Sequence, residues 1–539
     1  MKKRIITIAI ALNLIQVPLL ASNNHFISVA ETNDDIHLTE YYEVEKNGVI
    51  PDGDAYKKLD FYTGEAQLNN ISNLPRSLPT YVDLSTDPCF PNLGNQGNLG
   101  SCVGFATTYY QFSYEVNKLN GVTSTADREV YSPKWTYNFI NGGDDDGASI
   151  TNALLVLKNY GALKLSDLPY DSNYTWIPGN VNISSNEMIP EKLEALETRI
   201  SSCGSSSLPN SGTFITSPTD SDLNVIKALL NSGKVLSTTT ITSFDYKNGV
   251  DRNNTSIKVN YRCHNGGGGH AMAVVGYDDN VWCDVNNNGI AESCEKGAFK
   301  LANSYGSSGV SNDTNGYKWV LYDAINAVSA NNVNSWENNF STTRIQALRN
   351  ETNQPTFWYI SVDNFQVNYV GEIELNTGND TFSGCQFKIG RAPVGSNTPT
   401  YSSNNMLPTI NGSASYCGKL FFDYDSLCSP ISNYLSGYKW YVKFYSLNGT
   451  YNLQVIDNLE NPIANYGNNN STYTKNVIIN TMYGDLNYSG NLSSDDASMI
   501  QAYQLQLKDF STLQLELADC NHDGIISLAD AAYILQHSN

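Results

Sequence analysis

The stretch Gln96-Gly97-Asn98-Leu99-Gly100-Ser101-Cys102-Val103-Gly104-Phe105-Ala106 decides the reading of this 539-residue chain. Three glycines surround a single cysteine, and a helical pattern begins at once. Phe105, Tyr109, Phe112 and Val116 fall on one face of a helix, which places Cys102 at its N-terminus. There the macrodipole and the free N–H groups favour a thiolate over a thiol. The glycines let the backbone turn tightly and a substrate come close.

A thiolate nucleophile needs an imidazole partner. The chain has six histidines. His25 and His37 lie in an N-terminal arm, His522 in a C-terminal ligand loop and His537 almost at the end. Of the remaining two, His270 suits catalysis better than His264. It follows Gly266 to Gly269 and opens the apolar run Ala271 to Tyr277, at the mouth of a buried strand. A third group must orient the base. The strand pattern Gly297 to Ala302 ends in Asn303, whose carboxamide can accept from an imidazole N–H, and Tyr305 is placed to shield that bond.

The order Cys102, His270, Asn303, with Gln96 six residues before the cysteine, resembles the papain-like (C1) cysteine peptidase family. Gly100-Ser101-Cys102 with Phe105-Ala106, His270-Ala271 with Gly276-Tyr277, Asn303-Ser304-Tyr305-Gly306, and the start Leu78-Pro79 with Val82-Asp83-Leu84 carry the likeness. Val103, Leu99 and Tyr305 depart from the family's usual Trp, Cys and Trp. The resemblance implies an α+β fold with two lobes and a cleft between them. It also implies Cys102 as nucleophile, His270 as proton acceptor and donor, and Asn303 as its orienter. The Gln96 amide and the Cys102 N–H would form the oxyanion hole, and Gly147 would pair with substrate backbone.

Around this domain (78–345) other segments are read from pattern. Lys2, Lys3 and Arg4, the apolar run Ile5 to Leu20 and the small residues Ala21-Ser22 form a secretory signal peptide, 1–22, with a later exit at 30. An acidic arm or short pro-segment, 23–77, follows. Residues 351–480 carry short β runs, including the alternating Trp440 to Tyr445, and suggest a β-sandwich-like accessory domain. No other apolar stretch reaches membrane length. The net charge of −21 argues against nucleic acid and anionic lipid as partners, since those need Lys and Arg to neutralise phosphates.

Residues 484–539 hold a duplicated loop-helix unit. Loop one presents Asp485, Asn487, Ser489, Asn491 and Asp496; loop two presents Asp519, Asn521, Asp523, Ile525 and Asp530. Each fits a calcium loop with glycine at position 6. The unit resembles the dockerin module of cellulosomal proteins. That implies a small all-α domain around two calcium ions (Ca2+) which docks onto the cohesin domain of a scaffoldin. Positions 10 and 11 differ between the halves, Ser494-Asp495 against Leu528-Ala529. A third loop lies between His270 and Asn303: Asp284, Asn286, Asn288, Ile290 (through its carbonyl) and Glu295. Cys283 and Cys294 bracket it and are placed to close it with a disulfide. The reading is a secreted cysteine endopeptidase acting on a protein or peptide substrate within a polysaccharide-degrading, extracellular or cell-surface assembly. The alternative is an inert papain-fold binding protein whose β domain recognises a polymer or protein.

Overall fold

The computed structural model describes residues 77–174, 189–207, 220–241, 244–263, 269–325, 356–367, 370–376, 386–393, 401–402, 406, 417–423, 438–445, 450–456, 462–470, 474–478 and 482–538. The expected signal peptide, the arm as far as residue 76, and His264 lie outside the described residues.

Strand β1 (Tyr81–Asp83) docks on β6 (Gly269–Trp282), with Val82 opposite Tyr277. A Cβ at Gly276 would stand 2.3 Å from the Val82 carbonyl oxygen, so this approach requires glycine. The helix expected after the cysteine forms, but not as one regular helix. A short α1 (Cys102–Gly104) runs into a π-helical stretch, Phe105–Phe112, and then into α2 (Ser113–Leu119). Every residue of the π-helical stretch is buried, so the one-sided pattern understates its position at the centre of the domain. Its polar side chains are satisfied internally. Thr107 Oγ1 donates to the Val103 carbonyl, Thr108 pairs with Thr136, and Gln111 Nε2 donates to the Val235 and Trp358 carbonyls. Helices α3 (Pro133–Ile140) and α4 (Ile150–Asn159) share its core.

The remaining elements of this domain are α5 (Ile189–Ala195), β2 (Thr198–Ser207), α6 (Asp220–Asn231), β3 (Leu236–Ile241), β4 (Phe244–Val250), β5 (Ser256–Cys263), β7 (Lys296–Ala302) and β8 (Tyr317–Leu321). With β1, β6 and β9 (Thr356–Asn364) the strands form a nine-stranded sheet in the order β2-β9-β3-β6-β4-β5-β8-β7, with β1 attached to β6. Because β7 also pairs with β6, the path β6-β4-β5-β8-β7 closes on itself. Its interior is the cluster of Val259, Val274, Tyr277, Val281, Phe299, Leu301 and Val320.

Strand β9 corrects the expected domain boundary at 345–351. It pairs with β2 from Thr198↔Asn364 to Ser207↔Thr356 and with β3 at Ser237↔Trp358. Phe357 and Tyr359 enter one core, Trp358 and Ile360 another. Alternating apolar residues with both faces buried carry no mark of which sheet they join, and here the first sheet takes the strand.

The β-rich segment therefore begins at β10 (Val370–Asn376). It continues through β11 (Gln386–Pro393), β12 (Tyr401–Ser402), β13 (Cys417–Asp423), β14 (Tyr438–Tyr445), β15 (Thr450–Ile456), β16 (Pro462–Asn470) and β17 (Thr474–Ile478). These form two four-stranded antiparallel sheets, β13-β10-β15-β16 and β12-β11-β14-β17, the composition a sandwich needs. The side chains of Tyr441 and Tyr445 lie outside the described residues. An ion pair ties the two regions: Arg199 of β2 bonds Asp423 of β13, with side chains 3% and 1% exposed. The guanidinium also lies 4.4 Å from the Phe365 ring centre.

The C-terminal segment carries α7 (Ser494–Gln504), α8 (Thr512–Ala518) and α9 (Leu528–His537). Helices α7 and α9 follow the two duplicated loops. Helix α8, capped by a Ser511–Gln514 box, is an addition to the sequence reading. Among the described residues no helix is long and apolar enough to cross a membrane.

Candidate active site

Three local structures bring the expected residues together. The first is the β6–β7 register. Ala273 faces Ala302, so continuing the ladder brings residue 305 opposite residue 270. His270 and Tyr305 accordingly stack, with ring centres 5.3 Å apart and planes 5° from parallel. Asn303, just past the end of β7, bonds the imidazole: His270 Nε2 lies 2.8 Å from Asn303 Oδ1.

The second is a short ladder between residues 94–96 and 304–306. Gly306 N–H donates to the Gly94 carbonyl at 2.8 Å, and Gln96 N–H to the Ser304 carbonyl at 2.7 Å. The Ser304 hydroxyl bonds Gln96 Oε1, and Gln96 Nε2 donates to the Leu99 carbonyl at 2.7 Å. Since a carboxamide carries two N–H groups, one remains for a ligand.

The third is the start of the helix. Cys102 begins α1 and lies against the Ala271 backbone, the residue after His270. The loop before it is pinned by Gly100 N–H donating to Asp145 Oδ1 at 2.8 Å. Ser101 Oγ lies 2.6 Å from the Tyr170 hydroxyl, which donates to the Gln96 carbonyl at 2.8 Å.

All four side chains are withdrawn from water: Cys102 is 0% exposed, Asn303 1%, His270 2% and Gln96 4%. Burial opposes the ionisation expected from the helix start. Burial pushes the Cys102 thiol up to about 12, although the helix-start N–H groups and the Ala271 backbone pull the other way. Burial likewise lowers His270 to about 4, against the opposing effect of the Asn303 bond. Burial thus favours the neutral form of each group. His270 Nδ1 is buried and has no hydrogen-bond partner among the described residues.

Around this set stand residues that the sequence does not single out. The Tyr110 hydroxyl, on the π-helical stretch, donates to the Asn303 carbonyl at 2.7 Å and accepts Gly94 N–H at 3.0 Å. Asn303 Nδ2 donates to Asp313 Oδ2 at 2.7 Å, and Lys318 Nζ lies 2.7 Å from Asp313 Oδ1. A Tyr-Tyr pair on a helical face and an acid in a glycine-rich loop are common features. Only the folded loop shows what they touch.

Gly147 precedes α4. It is buried at φ 95°, and its N–H is directed at the Tyr137 hydroxyl, which itself bonds Asp145.

The three calcium-type loops share one hydrogen-bond pattern. In loop one, Asp485 accepts Ser489 N–H (2.9 Å) and Gly490 N–H (2.7 Å), Asn487 Oδ1 accepts Ser489 N–H (2.9 Å), and Asp496 accepts Leu486 N–H (2.8 Å) and Asn487 N–H (3.1 Å). The Asn491 carbonyl accepts the Ser489 hydroxyl at 3.0 Å. In loop two, Asp519 accepts Asp523 N–H and Gly524 N–H, Asn521 accepts Asp523 N–H, and Asp530 accepts Asn521 N–H. In the loop between His270 and Asn303, Asp284 accepts Asn288 N–H and Gly289 N–H, Asn286 accepts Asn288 N–H, and Glu295 accepts Val285 N–H and Asn286 N–H. At position 7, Ile525 N–H donates to Asp523 Oδ1 and Ile290 N–H to Asn288 Oδ1. All three loops have positive φ at positions 4 and 6: Tyr488 and Gly490, His522 and Gly524, Asn287 and Gly289. Burial raises the pKa of Asp485. Among the described residues no three His, Cys, Asp or Glu side chains converge as a metal cluster. Cys283 is a buried thiol outside any disulfide, so the expected bridge to Cys294 is not formed.

Residues 483–537 match the family described as Dockerin type I domain. No curated protein matches the sequence. The structural neighbours are papain-like cysteine proteases. They include xylellain from Xylella fastidiosa, at 21% identity over 60% of this chain and 99% of that chain with a TM-score of 0.36. Digestive procathepsin L2 from Tenebrio molitor larval midgut gives 16%, 59%, 78% and 0.34, and a cysteine protease of Carica candamarcensis gives 14%, 53%, 99% and 0.30. The C-terminal segment, residues 483–537, is a dockerin type I domain.

Proposed function

We propose that this chain is a secreted cysteine endopeptidase carried on a cellulosome-type scaffold by its dockerin. The observation that carries the reading is the buried array itself: Cys102 against the start of β6, His270 bonded to Asn303 at 2.8 Å and covered by Tyr305, and Nδ1 left without a partner among the described residues.

The chemistry follows from these groups. On substrate entry His270 Nδ1 takes the Cys102 proton and the sulfur attacks the peptide carbonyl. The oxyanion forms beside the remaining Gln96 amide hydrogen and the Cys102 N–H, donors worth a few kcal/mol each when aimed at developing charge. His270 returns the proton to the leaving amine, and water hydrolyses the thioester.

Dockerin type I domains bind cohesins and are generally calcium-binding. The residues that would hold the two ions here are Asp485, Asn487, Ser489, Asn491 and Asp496, and Asp519, Asn521, Asp523, Ile525 and Asp530. Their oxygen-rich donor set suits a hard cation. Asp284, Asn286, Asn288, Ile290 and Glu295 would hold a third, bracing the loop between the His270 and Asn303 strands. The test is hydrolysis of a mixed peptide library by the full chain, with and without a thiol alkylator. Cys102→Ala is expected to abolish cleavage while leaving the fold intact; turnover retained in that variant refutes the reading.

A further inference from the structure

An asparagine side chain is nearly symmetric in shape, and its amide can face either way round. In this site the choice matters. If Asn303 turned its nitrogen toward His270, the imidazole would have to accept at Nε2 and carry its proton on Nδ1, the nitrogen that the peptidase reading assigns to take the thiol proton. No lone pair would then remain to take the Cys102 proton.

Two one-way partners remove the choice. Ser304 N–H can only donate, and it donates to Asn303 Oδ1 at 2.9 Å. A carboxylate can only accept, and Asp313 Oδ2 accepts Asn303 Nδ2 at 2.7 Å. With oxygen and nitrogen so assigned, His270 Nε2 must be the donor in its 2.8 Å bond to Oδ1. The lone pair is left on Nδ1, which has no partner among the described residues.

Asp313 is itself held. Its Oδ2 also accepts Val310 N–H at 3.2 Å, and its Oδ1 lies 2.7 Å from the Lys318 ammonium, as a charge contact rather than an aligned hydrogen bond. Lys318 stands on β8 opposite Leu301 of β7 and donates to Asn312 Oδ1 at 2.7 Å. Both side chains are sealed from solvent, at 4% exposed for Lys318 and 0% for Asp313. A buried carboxylate without a counter-ion would be costly, and a protonated one could donate as well as accept. The ammonium balances it.

We propose that Asp313, held by Lys318, is a positioning residue that locks the Asn303 amide and through it the Nε2–H tautomer of His270. The inference rests on the peptidase reading of the site, but its first readout does not depend on turnover. In the full chain labelled with 15N-histidine, NMR distinguishes protonated from unprotonated ring nitrogens, and His270→Gln identifies the His270 signals. The expected wild-type state is Nε2–H; Nδ1–H overturns the inference without any variant.

Asp313→Leu with Lys318→Met removes the acceptor and its counter-ion together. It should give a mixture of tautomers and a roughly tenfold fall in kcat, the worth of one charge-assisted bond, at unchanged KM. Asp313→Asn with Lys318→Met keeps an oxygen at the same place and should restore both the single tautomer and most of kcat. Where leucine does not fit, Asp313→Ala with Lys318→Met reads the same loss. A single tautomer and unchanged kcat in the variants lacking the acceptor refute the assignment. Wild type with Nε2–H but no peptide hydrolysis leaves the lock standing and removes the peptidase reading. Hydrolysis with no effect of Asp313 does the reverse.

Discussion

Replacing Tyr110 by Phe isolates one hydroxyl. The ring is fully buried, stacks on Phe90 at 5.4 Å and 6°, and meets Tyr109 edge-on, contacts that phenylalanine retains. What disappears is the oxygen bridging the Asn303 carbonyl (2.7 Å) and Gly94 N–H (3.0 Å). Each backbone group left unpaired in the core costs roughly 1–3 kcal/mol. Two such groups give about 4 kcal/mol as a central value, on the order of a thousandfold in the local opening equilibrium. The loss falls on the two loops that carry Gln96 and Asn303, so kcat should fall as well. Alkylation of Cys102, followed by peptide mapping to separate it from the other buried thiols, reads the opening directly, because the side chain is 0% exposed when closed. An alkylation rate within about threefold of wild type, with kcat unchanged, would show that the loops do not depend on this hydroxyl.

The Arg199–Asp423 pair should behave as a buried ion pair. Asp423→Leu alone is expected to cost roughly 3–5 kcal/mol in urea unfolding, and the double change with Arg199→Met to recover most of it. Lowering the pH should destabilise the fold between the ordinary histidine value of 6.5 and about 4, because the unfolded chain takes a proton that buried His270 refuses; His270→Gln should flatten that part of the curve. At the alkaline end Cys102 also favours its neutral form: above about 9 the unfolded thiol ionises first, so stability falls toward about 12 and Cys102→Ala should lack the slope. Chelation of calcium should reduce the circular-dichroism helix signal of residues 483–537 and abolish cohesin binding, which isothermal titration against a cohesin panel checks.

The site is legible in the sequence where chemistry demands particular residue types in order. Cys102, His270, Asn303 and Gln96 announce themselves, and the fold draws them together. Their burial is not legible, because a helix start in sequence does not show that all four side chains are withdrawn from water. Burial then opposes the dipole. Asp313 and Tyr110 are hidden for a related reason. Each acts through a bond to one atom of Asn303 across a loop or from another element, and nothing local marks that partner. Residues 357–362 read as a strand, but the pattern attaches them to the wrong sheet, since period two reports pairing and burial, not the neighbour. Helix α8 escapes because it lies between two loops whose metal pattern dominates the segment.

Strand β9 has a consequence for how the protein can be taken apart. It lies inside the nine-stranded sheet, hydrogen-bonded to β2 on one side and β3 on the other. Cutting the gene at the apparent seam near residue 345 would strip an interior strand from the papain-like domain and expose two unpaired edges. The same cut would hand the accessory domain an orphan segment with both faces apolar. The papain-like domain therefore ends no earlier than Asn364, and the two domains are dovetailed rather than strung. A swap of one accessory module for another at the sequence boundary would yield two damaged halves, whereas a join after 364 leaves each with its own strands.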